Sequence, residues 1–148
     1  MKTRDEKESG WIYDDRDSKW KPAWIATMRR LETLEMMKLV VFDSTAEQFT
    51  SPEFEVTAFK EFMLMLLVDV AGTPTDIQFY VQFSHDRNLW FSLTDGPFGS
   101  LMYEDSAGDL QECVHGNITA HWMRLKAVSS GCNAGNTFTI SAWIEVAG

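Results

Sequence analysis

A chain of 148 residues, 45% hydrophobic and 24% charged, is most simply one domain with its own core and has the composition of an ordinary globular protein. Its formal net charge of −9 argues against general nucleic-acid binding, which needs clustered Lys and Arg against phosphates. The longest apolar run, Phe62 to Val68, is too short to span a bilayer, and the charged start from Met1 to Ser9 does not read as a secretory leader.

Residues 1–22 hold six of the 13 cations and six of the 22 acids, so the remainder carries the whole −9. This head lacks hydrophobic periodicity and has too little apolar surface for a core. It nevertheless places Trp11, Ile12, Tyr13 and Trp20 among its charges, with Trp24 just beyond. The expectation is an extended N-terminal arm over 1–22, with these aromatic and apolar residues as anchors on a partner. The plainer alternative is a solvated tail.

Pro22 is well placed to open a helix, because its missing N–H costs nothing in the first turn. Ile25, Met28, Leu31 and Leu34 form a one-sided stripe at helical spacing. Residues 23–37 are therefore expected to be a connector with a short helix, leading into a β domain over 38–148.

From there the pattern is β throughout. Expected strands are Lys38–Asp43, Phe54–Ala58, Glu61–Val70, Asp76–Ser84, Leu89–Thr94, Ser100–Tyr103, Thr119–Val128 and Thr137–Val146. Breakers such as Gly72-Thr73-Pro74 and Asp95-Gly96-Pro97 separate them. Alternation is clearest in Ile77, Phe79, Val81 and Phe83, and again in Phe138, Ile140, Ala142, Ile144 and Val146. About eight short strands with turns between them indicate an all-β protein, an antiparallel β-sandwich or jelly roll.

The run Ser84-His85-Asp86-Arg87-Asn88 joins two of these strands. Ser84 and Asp86 side chains can bond the loop backbone, Asn88 is an ordinary turn residue, and Trp90 follows to cap the sandwich. A catalytic role would need groups converging from distant segments, whereas His85 and Asp86 are adjacent and point to opposite faces of a strand. The run is expected to be a structural hairpin turn, and no catalytic residue is assigned anywhere in the chain.

Metal chemistry has equally little to stand on. His85, His115 and His121 are widely spaced, and Cys113-Val114-His115 supplies one thiol and one imidazole without two further ligands. No phosphate loop or nucleophile elbow is present, so no metal or other cofactor is expected. Cys113 and Cys132 flank an expected strand of ten residues, which separates them by roughly 33 Å; a disulfide needs Cα atoms within about 7 Å. Free thiols are the expectation.

The order of segments from Phe54 resembles the β-rich structural proteins of tailed phages. A long apolar strand, Phe54 to Asp69, runs into the turn Gly72-Thr73-Pro74-Thr75. The next strand ends in Gln82, Ser84, Asp86 and Trp90, a later one carries Trp122 and Arg124, and the last holds Phe138 to Ser141. The likeness covers about residues 52–146. Arg87 stands where related hairpins often place Gly, which counts against a positive-φ turn there. The resemblance implies a jelly-roll or sandwich virion protein without enzymatic activity, such as a capsid decoration (cement) protein. It further implies a homo-oligomer, with a trimer favoured, bound to the major capsid protein or other virion subunits, and neither nucleic acid nor membrane as a partner. The rival expectation is a carbohydrate-binding module or a receptor-binding fibre protein, with Trp90, Phe91, Trp122 and Trp143 as candidate sugar-stacking surfaces.

Overall fold

The structure is a computed structural model and describes residues 11–14, 19–22, 31–94, 98, 102–104 and 109–148. The chain divides into two compact units, Met1–Arg30 and Leu31–Gly148.

In the first unit, β1 (Trp11–Asp14) pairs antiparallel with β2 (Lys19–Pro22), setting Trp11 opposite Pro22, Ile12 opposite Lys21, and Tyr13 opposite Trp20. The expected arm therefore has a hairpin ladder of its own. Pro22 closes a strand instead of opening a helix, at a strand end where its lack of an N–H is tolerated. Ile25 and Met28 of the expected helix, and Trp24, lie outside the described residues.

In the second unit the rest of the expected helix is corrected to strand. Leu31 and Leu34 belong to β3 (Leu31–Phe42), twelve residues long, and the described residues contain no α-helix. The strand carries two irregularities. Between Ile140 and Trp143 of its partner strand, β3 spends two extra residues, one at Met36 and one in the Lys38–Leu39 stretch. Bulges of this kind shift the alternation. Leu34, Met37 and Val40 all pair with inward positions of the partner, whereas Leu31 pairs with the outward Ala147, so the Leu31–Leu34 spacing places the two on opposite faces of a strand and not on one helical stripe. Leu39 takes φ 48°, and its N–H donates to Ser141 Oγ at 3.2 Å, which holds the bulge closed.

The remaining elements are β4 (Ala46–Thr50), β5 (Phe54–Glu55), β6 (Glu61–Ala71), β7 (Asp76–Ser84), β8 (Phe91–Ser92), β9 (Met102–Glu104), β10 (Leu110–Asn117), β11 (Trp122–Ser130) and β12 (Thr137–Ala147). One sheet has the order β10-β6-β12-β3. The other runs β4-β11-β7-β8, with β5 also on β11 and β9 also on β7. All pairings are antiparallel. Successive strands β10, β11 and β12 cross from one sheet to the other and back, and the long strands of each half sit between strands distant in sequence. That connectivity is a jelly roll.

Alternation fills the space between the sheets. Phe62, Leu64, Leu66 and Val68 of β6 meet Ile77, Phe79, Val81 and Phe83 of β7, with Met123, Leu125 and Ala127 of β11 and Phe138 to Val146 of β12 completing the buried core. The Phe62 ring stands edge-on to Phe83 across the sandwich, 5.9 Å between centroids, and 5.5 Å from Phe98. Phe62 also dictates Gly116, where a Cβ would come within 2.5 Å of its ring. The sequence reading missed β4 and β10. Both are edge strands with mixed polar sequences, and β10 buries only Val114.

Candidate interaction surfaces

The β7–β8 hairpin is the turn expected from its residues. Ser84 Oγ accepts the Asp86 and Arg87 N–H groups and donates to Asp86 Oδ1, while that same Oδ1 accepts the N–H groups of Asn88 and Leu89 at 2.9 and 3.0 Å. Trp90 Nε1 donates to the Arg87 carbonyl at 3.3 Å. The side chains of Ser84, Asp86 and Trp90 thus tie the loop, Asn88 giving its backbone N–H, and residues 85–88 are exposed at its tip. Arg87 does adopt a positive φ, 65°, against expectation. The Ser84 and Asp86 bonds fix the backbone on either side, and its side chain gains a stacking partner, which together offset the steric cost of a Cβ in that region.

The donated N–H groups of Asn88 and then Leu89 hold the Asp86 carboxyl below its ordinary range. A carboxylate depressed on folding stabilises the native state above the unfolded value, about pH 4, and loses that contribution as pH falls through the lower folded value. The melting-temperature gap between wild type and Asp86→Asn should therefore narrow as acid is added below about pH 4. A gap independent of pH would show that the charge of Asp86 does not hold the turn.

Around this turn the outer face of the β4-β11-β7-β8 sheet carries interleaved indoles and guanidiniums. The Arg87 guanidinium lies 4.3 Å from the Trp122 ring centroid, and that of Arg124 lies 4.1 Å from Trp90. Arg124 Nε donates to Gln82 Oε1 at 2.8 Å, and Gln82 Nε2 donates to Ser92 Oγ. Arg87 Nε is 3.6 Å from Glu53 Oε1, with Arg87 exposed and Glu53 half-buried, a long surface contact of small energetic weight. The His85 and His121 rings pack edge-on at 5.4 Å, and His121 Nδ1 lies 3.3 Å from Thr57 Oγ1. The sequence named these residues separately; it did not bring them together, because the register of β7 on β11, with Ser84 opposite Trp122 and Gln82 opposite Arg124, is a long-range fact.

The outer face of the other sheet is of a different character. Its registered outward positions include Met63, Met65 and Leu67 of β6, Trp143 of β12, Cys113 and His115 of β10, and Leu31 and Val41 of β3. Leu31 is 60% and Val41 47% exposed, and Leu39 at the bulge is 62% exposed. An open groove of about 500 Å³ crosses the centre, lined by Met65, Leu67, Gln111, Glu112, Cys113 and Trp143 among others. Four carboxylates, Glu35, Glu61, Asp69 and Glu145, stand at outward positions of the same face, and Lys38 is exposed in the β3 bulge opposite Ser141. The groove was invisible in the sequence because one of its walls, β10, was not recognised as a strand.

Of the four candidate sugar-stacking aromatics, Trp90 and Trp122 share a face, each with a guanidinium already over its ring, Phe91 is exposed at the hairpin, and Trp143 belongs to the opposite sheet. Cys113 is an exposed free thiol and Cys132 a buried one, whose burial pushes its pKa up. Among the described residues, no group of three or more His, Cys, Asp or Glu is placed to hold a metal ion.

No protein-family model and no curated protein matches the chain. Among solved structures, a chain in the structure of infectious bursal disease virus, Gx strain, is similar with a TM-score of 0.51 at 10% sequence identity. The match covers 82% of this chain and 32% of that one, so this chain spans about a third of its length. At that identity the likeness is one of fold, a jelly-roll sandwich.

Proposed function

We propose that the protein is a non-enzymatic structural component of a virion, a decoration protein on the outer shell of a tailed-phage capsid. The observation that carries this reading is the jelly-roll strand order of both sheets, together with a structural neighbour that is a chain of a virus structure. A fold alone does not fix a function. What turns it toward assembly is the surface: an apolar sheet face with a groove, and an N-terminal unit rich in aromatics and charge. The partners in this reading are the major capsid protein and further copies of the chain, in a trimer matched to three-fold positions of a shell. The protein would be made in the host cytoplasm and reside on the capsid surface.

Deleting residues 1–22 is expected to leave the β domain folded, with its thermal melt unchanged, while weakening attachment to purified shells at least tenfold. Burying one aromatic anchor contributes about 1.5–3 kcal/mol, set against ordering costs of about 1–2 kcal/mol for each backbone residue fixed. Several anchors must therefore dock together. Attachment as tight as that of the full chain would reduce the segment to a plain tail.

The second reading, glycan binding at a receptor, is favoured by one arrangement only, Trp90 and Trp122 on a shared outer face beside Arg87 and Arg124. A glycan array run beside shell co-sedimentation separates the two. Selective glycan binding without shell binding would replace the first reading by the second.

A further inference from the structure

In the sequence the Cys113 and His115 pair lacks two further ligands; the fold supplies them. Val114 between the two is buried, so the thiol and the imidazole both stand on the outer face of β10, where both residues are exposed. The ladder to β6 sets Cys113 opposite Met65 and His115 opposite Met63. Both methionines face outward, since they alternate with buried Phe62, Leu64 and Leu66. One thiol, one imidazole and two thioethers therefore occupy the corners of a single cross-strand square. Trp143 of β12 flanks it, registered against Met65 and lining the groove with Met65 and Cys113.

The square has the dimensions of a chelate. Directly opposite Cβ atoms on antiparallel strands are about 4.5–5.5 Å apart and diagonal ones about 7–8 Å. The register runs unbroken from Leu110 to Asn117, so no bulge turns a corner away. A point over the middle lies roughly 4–5 Å from each Cβ. The flexible Met side chains and the imidazole span that gap, and the shorter Cys draws an ion toward its own corner.

We propose that Cys113, His115, Met63 and Met65 form a binding site for Cu(I). The inference goes beyond the assembly role and does not depend on it. Thiolate and thioether ligands select soft ions such as Cu(I), and imidazole is compatible with copper. Zinc takes Cys, His, Asp or Glu but not a thioether, so only two of the four residues would serve it. The described residues hold no cluster of three such groups. Binding exchanges the Cys113 thiol proton, released to solvent, for a copper–sulfur bond. Copper enters and stays as Cu(I), so no electron is transferred. An apolar surface alone would account for Met63 and Met65, but not for a thiol and an imidazole set against them. The Glu145 carboxylate, registered against Met63 on the side away from β10, favours a cation on this face.

The test titrates full-length protein, reduced and under nitrogen, with Cu(I) supplied as its bicinchoninate complex, whose colour fades as the protein takes the ion. Wild type should bind one Cu(I) per chain, with a change in tryptophan fluorescence that Trp143→Phe largely removes. Met63→Leu/Met65→Leu keeps volume and apolar character and should weaken Cu(I) binding at least tenfold. His115→Gln should do the same, and Cys113→Ser should weaken it at least a hundredfold. Thermal melts without copper should stay close to wild type. His115 is exposed, so its variant reads ligation even where a methionine variant loses stability. Equimolar Zn(II) should not displace the copper. Absence of transfer from the bicinchoninate complex, one ion shared by two chains, or displacement by zinc would overturn the proposal. So would a fluorescence change that survives Trp143→Phe, or undiminished binding in the methionine or histidine variant, which would leave the thiol acting without the other corners.

Discussion

Phe83→Ala is expected to destabilise the domain by about 3–5 kcal/mol, the sum of lost transfer free energy and the cavity left behind. Phe83 is 4% exposed in the inward row of β7, opposite Met123 of β11, and its ring meets Phe62 of the other sheet. The neighbours have little room to collapse into the space. Phe62 is held on its other side by Phe98 and by the backbone at Gly116. Equilibrium denaturation should show a lower midpoint at constant slope, the signature of lost stability without a changed unfolded state. Phe91→Ala on the same hairpin, 63% exposed, should change stability by less than about 0.5 kcal/mol. Similar losses in both variants would contradict the inward register assigned to β7.

The second large effect is expected at a small residue. Ser51→Ala should cost about 1–3 kcal/mol, because it strands a buried N–H. The edge of β11 is covered by β4 as far as Lys126 opposite Thr50, and by β5 from Met123 opposite Phe54. Leu125 falls between them. Ser51 serves both of its backbone groups: the Ser51 N–H donates to the Leu125 carbonyl at 2.8 Å, and Ser51 Oγ accepts the Leu125 N–H at 2.8 Å. Oγ also lies 2.9 Å from the Pro52 carbonyl and 3.3 Å from Met36 Sδ. Alanine keeps the first bond and removes the second. Loss of hydrogen-exchange protection at the Leu125 amide should accompany the lower stability. Full protection there, with stability within a few tenths of wild type, would show that another acceptor replaces the hydroxyl.

Those two residues mark how far the sequence could be read. Phe83 was legible, since a strand with one buried face repeats every second residue, and β6, β7 and β12 all do so. The turn at Ser84 to Trp90 was legible for a local reason: its hydrogen bonds span three residues or fewer. Ser51 was not. It reads as a breaker before Pro52, and its function depends on β11, seventy-four positions away. The edge strands β4 and β10 escaped because an edge needs few apolar residues, and the start of β3 was mistaken because Leu31 and Leu34, three apart, read as one helical face although they pair with Ala147 and Ile144 on opposite faces of the sheet. The surfaces fared worst. The indole–guanidinium cluster and the groove beside Trp143 each arise from strands brought together over long sequence distances, which composition and periodicity do not encode.

The central claim, a structural part of a virion shell, is tested most directly by the composition of purified particles. Particles produced from a genome encoding this chain should be banded in a density gradient and their proteins quantified by mass spectrometry against labelled peptides. The account predicts that the chain co-bands with the major capsid protein at a fixed ratio across independent preparations. It further predicts that mild removal of surface proteins releases it without loss of packaged nucleic acid. A chain confined to the soluble lysate, or present at a ratio that wanders between preparations, would contradict the claim.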